Sequence, residues 1–202
     1  MDELGLFPLG IVLLPTEIVP LHVFEERYKE LIGECVELER EFGLVGADGD
    51  GVREVGTRAW VAEVLERFDD GRLNILVQGR ERFRVERLTR GRSFLTAEVT
   101  PLDDEWEEPA PEAAARAVEA FRALAAAAGA DADDPDPDSP QLSFAIAARV
   151  ELPSEAKQEL LELRSEPARL ARVAELLDAA RETVLATRRL GEAAKKNGSR
   201  PT

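Results

Sequence analysis

One cysteine, Cys35, and one histidine, His22, are all that 202 residues offer of either type. A lone cysteine excludes an internal disulfide, so nothing points to an oxidising compartment. One of each cannot build a structural zinc site, which takes four such ligands. Nucleophilic triads fare no better, because none of the six serines sits in a Gly-x-Ser-x-Gly context. Neither common phosphate-cradling glycine loop occurs. No window approaches the roughly 20 apolar residues that a membrane-spanning helix needs. The apolar start does not read as a signal peptide, since Asp2 and Glu3 replace a positive region and Pro8 and Pro15 interrupt it. Lysine is scarce as well, with four against 22 arginines, so any positive surface must be built of guanidinium groups.

What is present is an ordinary globular composition: 44% apolar and 33% charged residues. The length suits one domain or two small ones with a real core. A formal charge of −15 argues against general affinity for nucleic acid or anionic membranes. It also favours solubility, and with the missing spans and disulfides it gives a cytoplasmic expectation. The acidic run Asp131 to Asp138 has the wrong residues for a calcium loop, with Asp136 at the sixth position and Leu142 at the twelfth. It reads as a solvated, proline-broken loop. No cofactor is expected.

The organising stretch is Leu4 to Tyr28. Pro8, Pro15 and Pro20 bar a helix interior, and the residues before them are pushed toward extended geometry, so short extended pieces joined by turns are expected. After Phe24 the periodicity changes. Tyr28, Leu31, Ile32 and Cys35 form an i, i+3, i+4, i+7 stripe, which predicts a helix over Tyr28–Glu41 with one buried face. Cys35 on that stripe reads as core. His22 lies in the extended run and reads as a hydrogen-bonded structural residue.

Strands follow at Phe42–Ala47, Val55–Phe68, Leu73 to Val85 and Phe94–Pro101. They are separated by Asp-Gly turns and by Arg90-Gly91-Arg92. Gly79 inside the third of these predicts a bulge or a close backbone approach. At Asp103 the composition shifts to an acidic linker and then to helices: Glu112–Ala128, Leu142–Val150, Ser154–Leu163 and a long one capped by Ser165. In that last helix Leu170, Val173, Leu177, Ala180 and Val184 make one apolar stripe. The expected class is α+β. Residues 1–102 should form a small, partly open barrel with one inserted helix, 112–190 a helical segment packed on it, and 191–202 a disordered tail.

Leu6-Phe7-Pro8-Leu9, a following Leu14-Pro15, and Pro20-Leu21-His22-Val23-Phe24-Glu25-Glu26-Arg27-Tyr28 resemble the opening of the N-terminal substrate-binding domain of Lon-type proteases. That module also occurs alone and in the Lon-like region of cereblon. The resemblance continues through Phe42-Gly43-Leu44-Val45-Gly46, Val55-Gly56-Thr57, Asp70-Gly71-Arg72, Gly79-Arg80-Glu81-Arg82-Phe83 and Phe94 to Val99. Many relatives have Gly where Thr16 stands and Pro where Glu26 stands. The resemblance implies a PUA-like pseudo-barrel followed by a helical bundle segment. It also implies a non-catalytic module that recognises polypeptide segments or a partner protein, a separate ATP-dependent protease among the candidates. ATPase and protease motifs are absent from the sequence, so no enzyme is expected. The residues expected to contact a peptide are Glu25, Arg27 and Tyr28 at the barrel–helix junction, with Arg80, Arg82 and Phe83 across from them.

Between Arg72 and Arg92 stand seven arginines against two acids, Glu81 and Glu86. Strand periodicity places Arg80, Arg82 and Arg84 on one exposed face, with Phe83 and Val85 on the other. Three readings follow for this ladder. It is a solvated face paired with carboxylates, a contact surface for anions or peptide carboxylates, or an RNA-binding face, since PUA-like barrels often bind RNA.

Overall fold

The computed structural model of the chain describes residues 2–49, 51–107 and 110–198, with side chains through residue 190. Six strands, β1 (Asp2–Leu9), β2 (Ile18–Val23), β3 (Phe42–Asp48), β4 (Gly51–Arg67), β5 (Leu73–Thr89) and β6 (Thr96–Pro101), form one sheet. Five helices accompany them: α1 (Glu26–Glu37), α2 (Pro111–Ala128), α3 (Leu142–Ala147), α4 (Ser154–Glu162) and α5 (Glu166–Gly198). The chain divides into two compact units. One comprises residues 1–106 with 147–164, the other residues 107–146 with 165–202.

In the first unit the sheet order is β2-β5-β4-β3-β1-β6, and an additional β5–β6 pairing closes β5, β4, β3, β1 and β6 into a ring. All pairings are antiparallel except β1 with β3. Closure works because β5 is long enough to serve two partners on one edge. Its Leu73–Gln78 half pairs with β2 and its Phe83–Thr89 half with β6.

Gly79 sits at the handover between them. There the Leu14–Glu17 turn takes the place of a strand: Thr16 N–H donates to the Gly79 carbonyl at 3.0 Å, and Gly79 N–H donates to that of Glu17 at 2.8 Å. A Cβ on residue 79 would stand 2.0 Å from the Leu14 carbonyl oxygen, so the expected close approach is real and only glycine fits.

That turn is held from several sides. Glu17, buried, accepts the Leu14 N–H at 2.9 Å and pairs with Lys157 of α4. The Thr57 hydroxyl donates to the Leu13 carbonyl at 2.6 Å. Thr16 adopts φ +69°, a left-handed conformation that a β-branched residue tolerates poorly.

Two apolar clusters fill the first unit. The larger gathers Phe7, Leu13, Tyr28, Leu31, Ile32, Cys35, Phe42 and Ile75 around α1. The smaller holds Leu4, Leu6, Val45, Phe83, Ala97 and Val99 inside the ring. Helix α1 begins two residues before the periodic stripe predicts and ends at Glu37, where Glu39 takes φ +49°.

Helix α4 belongs to this unit and not to the helical segment the sequence reading assigns it to. It packs on β4, and its Gln158, Leu160 and Leu161 are buried. A nine-residue amphipathic helix carries no signal of which partner it covers, so the simple 1–102 and 112–190 division fails at this point.

In the second unit α2 packs along α5. Pro111 opens α2 and Gly129, at φ +69°, closes it. Buried Val118, Phe121 and Leu124 of α2 and Leu170, Val173 and Leu177 of α5 supply the apolar faces. Ser165 caps α5 as its sequence position suggests, its hydroxyl accepting the Ala168 N–H at 3.1 Å. Fully buried Arg169 lies 4.5 Å over the Phe144 ring, donates to Ser143 Oγ at 3.0 Å, and pairs with Glu166 at 2.5 Å. The acidic loop is anchored too, since Arg122 holds Asp134 through two 2.7 Å hydrogen bonds. The α5 backbone stays helical through Gly198, whereas the sequence reading expects a disordered tail from residue 191. Residues 199–202 lie outside the described residues.

Candidate functional site

The structure distributes the six expected contact residues over separate places in the first unit. Glu25 and Arg27 stand at the surface where β2 turns into α1, joined by a 2.8 Å ion pair. Tyr28 is buried. Its ring stacks on Phe7 at 4.1 Å, and the Arg27 guanidinium lies 4.5 Å above it. Burial pushes the Tyr28 hydroxyl pKa up, opposed by the Arg27 charge and reinforced by Glu25. Phe83 is wholly buried in the smaller cluster, whereas Tyr28 belongs to the larger one. The two aromatic residues therefore do not face each other across a groove. Both are core.

Arg82 departs furthest from expectation. Strand alternation holds locally, but residues 161–163 cover that face of β5, leaving the Arg82 side chain 5% exposed. One guanidinium nitrogen donates to the carbonyls of Leu161 and Leu163, both at 2.7 Å, and the other pairs with Asp104. Arg164 strengthens the same junction by donating to the Asp103 carbonyl at 3.0 Å and pairing with Glu105 at 3.1 Å. Arg82 is a structural tie, and the shared exposed face of Arg80, Arg82 and Arg84 does not exist.

The rest of the ladder resolves into ion pairs. Arg72 pairs with Asp70, Arg84 with Glu54, Arg87 with Glu98, and Arg92 with Glu34. Only Arg80 and Arg90 of the seven lack an ion pair among the described residues. A continuous positive strip suited to a phosphate backbone is absent there, which removes the support for the RNA reading.

A different surface stands out. Along β2, Val19, Leu21 and Val23 turn toward the larger core cluster. The alternate residues Ile18, Pro20 and His22, with Phe24 just past the strand, turn outward, and Ile18 and Phe24 are 57% and 60% exposed. On this face His22 Nδ1 lies 2.7 Å from Asn74 Oδ1, and Asn74 in turn donates to Glu66 at 2.9 Å. The histidine is thus tied into a cross-strand polar ladder, as a structural residue should be. Beside it a shallow cleft of about 580 Å³ is lined by Pro20, Leu21, His22, Leu65, Asn74 and Ile75, with Leu65 51% exposed. Among the described residues β2 pairs with β5 alone, so its other edge carries no strand there. Sequence reasoning missed this face because Ile18, Pro20 and Phe24 are as apolar as the inward set, so alternation does not mark which side is exposed.

Among the described residues no group of three or more His, Cys, Asp or Glu is placed to hold a metal ion, and no helix is long and apolar enough to cross a membrane. Burial pushes the Cys35 thiol up to about 11, the Glu34 charge adding to it, which makes this cysteine a poor nucleophile.

A closed sheet with two helices packed on it and an exposed apolar strand face gives the first unit a mixed α+β architecture. Residues 3–179 match the family described as the ATP-dependent protease La (LON) substrate-binding domain, and the chain belongs to that family. It is 28% identical to Lon protease 2 of Myxococcus xanthus over 95% of its own length, and 29% identical to the Lon protease of Anaeromyxobacter dehalogenans over 95%. It spans only 25% of the length of either relative. Among solved structures it is similar to a Lon N-terminal domain protein from Xanthomonas campestris (TM-score 0.68, 27% identity, covering 86% of this chain and 97% of that one). The N-terminal domain of a Mycobacterium avium complex Lon protease has the same TM-score at 19% identity, covers 88% of this chain and 98% of that one, and supports the fold alone.

Proposed function

We propose that this chain is a non-catalytic recognition module that binds extended or unfolded polypeptide segments in the cytoplasm, on a PUA-like pseudo-barrel with a helical segment attached. The observation that carries the reading is the outward face of β2. Ile18, Phe24 and neighbouring Leu65 keep more than half of their surface in water. Apolar side chains grouped beside an unpaired strand edge suit a chain that adds apolar contacts and backbone hydrogen bonds together. Glu25 and Arg27 flank this face and are the members of the expected contact set free to meet a ligand, together with exposed Arg80. The family match agrees with substrate binding. The module's clients would be delivered to, or withheld from, a separate ATP-dependent protease.

The test uses apolar peptides acetylated at one end and amidated at the other, titrated against the chain by fluorescence anisotropy. Binding should persist as salt is raised, since apolar capture lacks the counterion-release dependence of phosphate binding. It should weaken strongly in the Ile18→Ser/Phe24→Ser/Leu65→Ser variant. No binding of such peptides, or equal binding by parent and variant, refutes this assignment.

A further inference from the structure

The arginine run leaves one unpaired member at a concave site. Arg90 and Arg40, which comes from the chain just after α1, both line a cleft of about 400 Å³. Neither guanidinium makes an ion pair or hydrogen bond with a described residue. Leu4, Leu31 and Phe94 line the same cleft, with Leu38 at its edge 55% exposed.

The acids of the lining are already engaged. Glu34 pairs with Arg92, Glu41 stands 3.7 Å from Arg58, and Glu3 accepts the Thr89 hydroxyl at 2.9 Å. Both arginines therefore stand beside apolar side chains with no acidic partner among the described residues, on a protein of net charge −15. Guanidinium forks suit a planar two-oxygen anion, and the apolar lining beside them suits a compact apolar group attached to it.

We infer that this cleft binds the free C-terminal carboxylate of a polypeptide that ends in an apolar residue, with Arg40 and Arg90 meeting the carboxylate and Leu31, Leu38 and Phe94 meeting the side chain. The inference rests on the polypeptide-binding reading and adds which part of the client is recognised. It assigns the chain end to a cleft distinct from the β2 face.

The test compares a fluorescently labelled Ser-Gly-Ser-Gly-Ala-Leu peptide with a free C-terminus and the same peptide amidated, both against the full chain. The free acid should bind about tenfold or more tightly than the amide, the effect expected for hydrogen bonds to a charged group. The Arg40→Gln/Arg90→Gln variant, with circular dichroism and urea midpoint unchanged, should lose that preference. A Leu31→Ala or Phe94→Ala change would disturb the core, so exposed Leu38→Ser tests the apolar contact and should weaken the free acid only.

Equal binding of acid and amide overturns the chain-end site while leaving end-blocked peptide binding on the β2 face intact. A preference that survives in the double arginine variant overturns the assigned residues. If 4-methylpentanoate alone displaces the peptide at similar concentration, the occupant is a small free acid and the polypeptide assignment falls. If neither peptide nor acid binds, the cleft is plain surface.

Discussion

Replacing Arg82 by glutamine should destabilise the protein far more than any other change in the arginine run. The side chain is 5% exposed and makes two 2.7 Å hydrogen bonds to the carbonyls of Leu161 and Leu163, plus the Asp104 pair. Hydrogen bonds to a charged group contribute about 1.5–3 kcal/mol each, and stranding a buried carbonyl adds about 1–3 kcal/mol. Asp104 is 31% exposed at its side chain and recovers water when the pair is lost, so its share is small. Glutamine can replace one carbonyl contact at best. The net loss is then about 3 kcal/mol, equivalent to roughly 1–3 M in urea midpoint at the usual slopes. Arg84→Gln is the matched control on the same strand, because its pair with Glu54 is 43% and 79% exposed and should shift stability by less than about 0.5 kcal/mol. Urea unfolding followed by circular dichroism decides the matter. Equal midpoints for the two variants would refute the structural role of Arg82.

Four further outcomes follow from the same packing. Gly79→Val should cost about 3 kcal/mol or more, because its Cβ would meet the Leu14 carbonyl oxygen at 2.0 Å and backbone cannot swing aside; an unchanged thermal midpoint contradicts the close approach. Thr16→Gly should stabilise by about 0.5–1 kcal/mol, since it relieves a β-branched residue at φ +69° but adds glycine's chain entropy; a lower midpoint would show the strain is unimportant. Cys35, with its thiol raised from 9.0 to about 11, should react with Ellman's reagent at pH 8 much more slowly in the native state than in urea. Because the unfolded thiol ionises first, stability should also fall as pH rises from about 9 toward 11, and a Cys35→Ala background should lack that slope.

Most strands were legible because turn chemistry and alternation agreed. Gly71 at φ +83° and Gly91 at φ +124° occupy the turns their neighbours announce. Gly79 was legible as an interruption, although its partner, the turn around Pro15, lies more than sixty positions away and leaves no trace in a local pattern. The site was less legible. Alternation put Arg82 outward correctly but could not reveal that residues 161–163 roof that face. Phe83 and Tyr28 fit a core pattern and are core. The exposed face of β2 was hidden by its own apolarity, and Arg40 was hidden by lying outside the arginine-rich run it joins in space. Local periodicity reports which way a side chain points and never what has come to meet it.

The interleaving of the two units sets an order on synthesis. Residues 107–146, which belong to the second unit, emerge before residues 147–164, which finish the first. Until then Glu17 lacks Lys157, Arg82 lacks the carbonyls of Leu161 and Leu163, and β4 lacks the helix that covers it. The nascent ring must wait with Glu17 short of its lysine and Arg82 short of its two carbonyls, and the contact between residues 17 and 157 closes a loop of 140 positions. Loop entropy grows only slowly with length, so the delay lies in translation time more than in free energy. No single cut of the chain can free either unit, and a library of truncations should yield few soluble fragments.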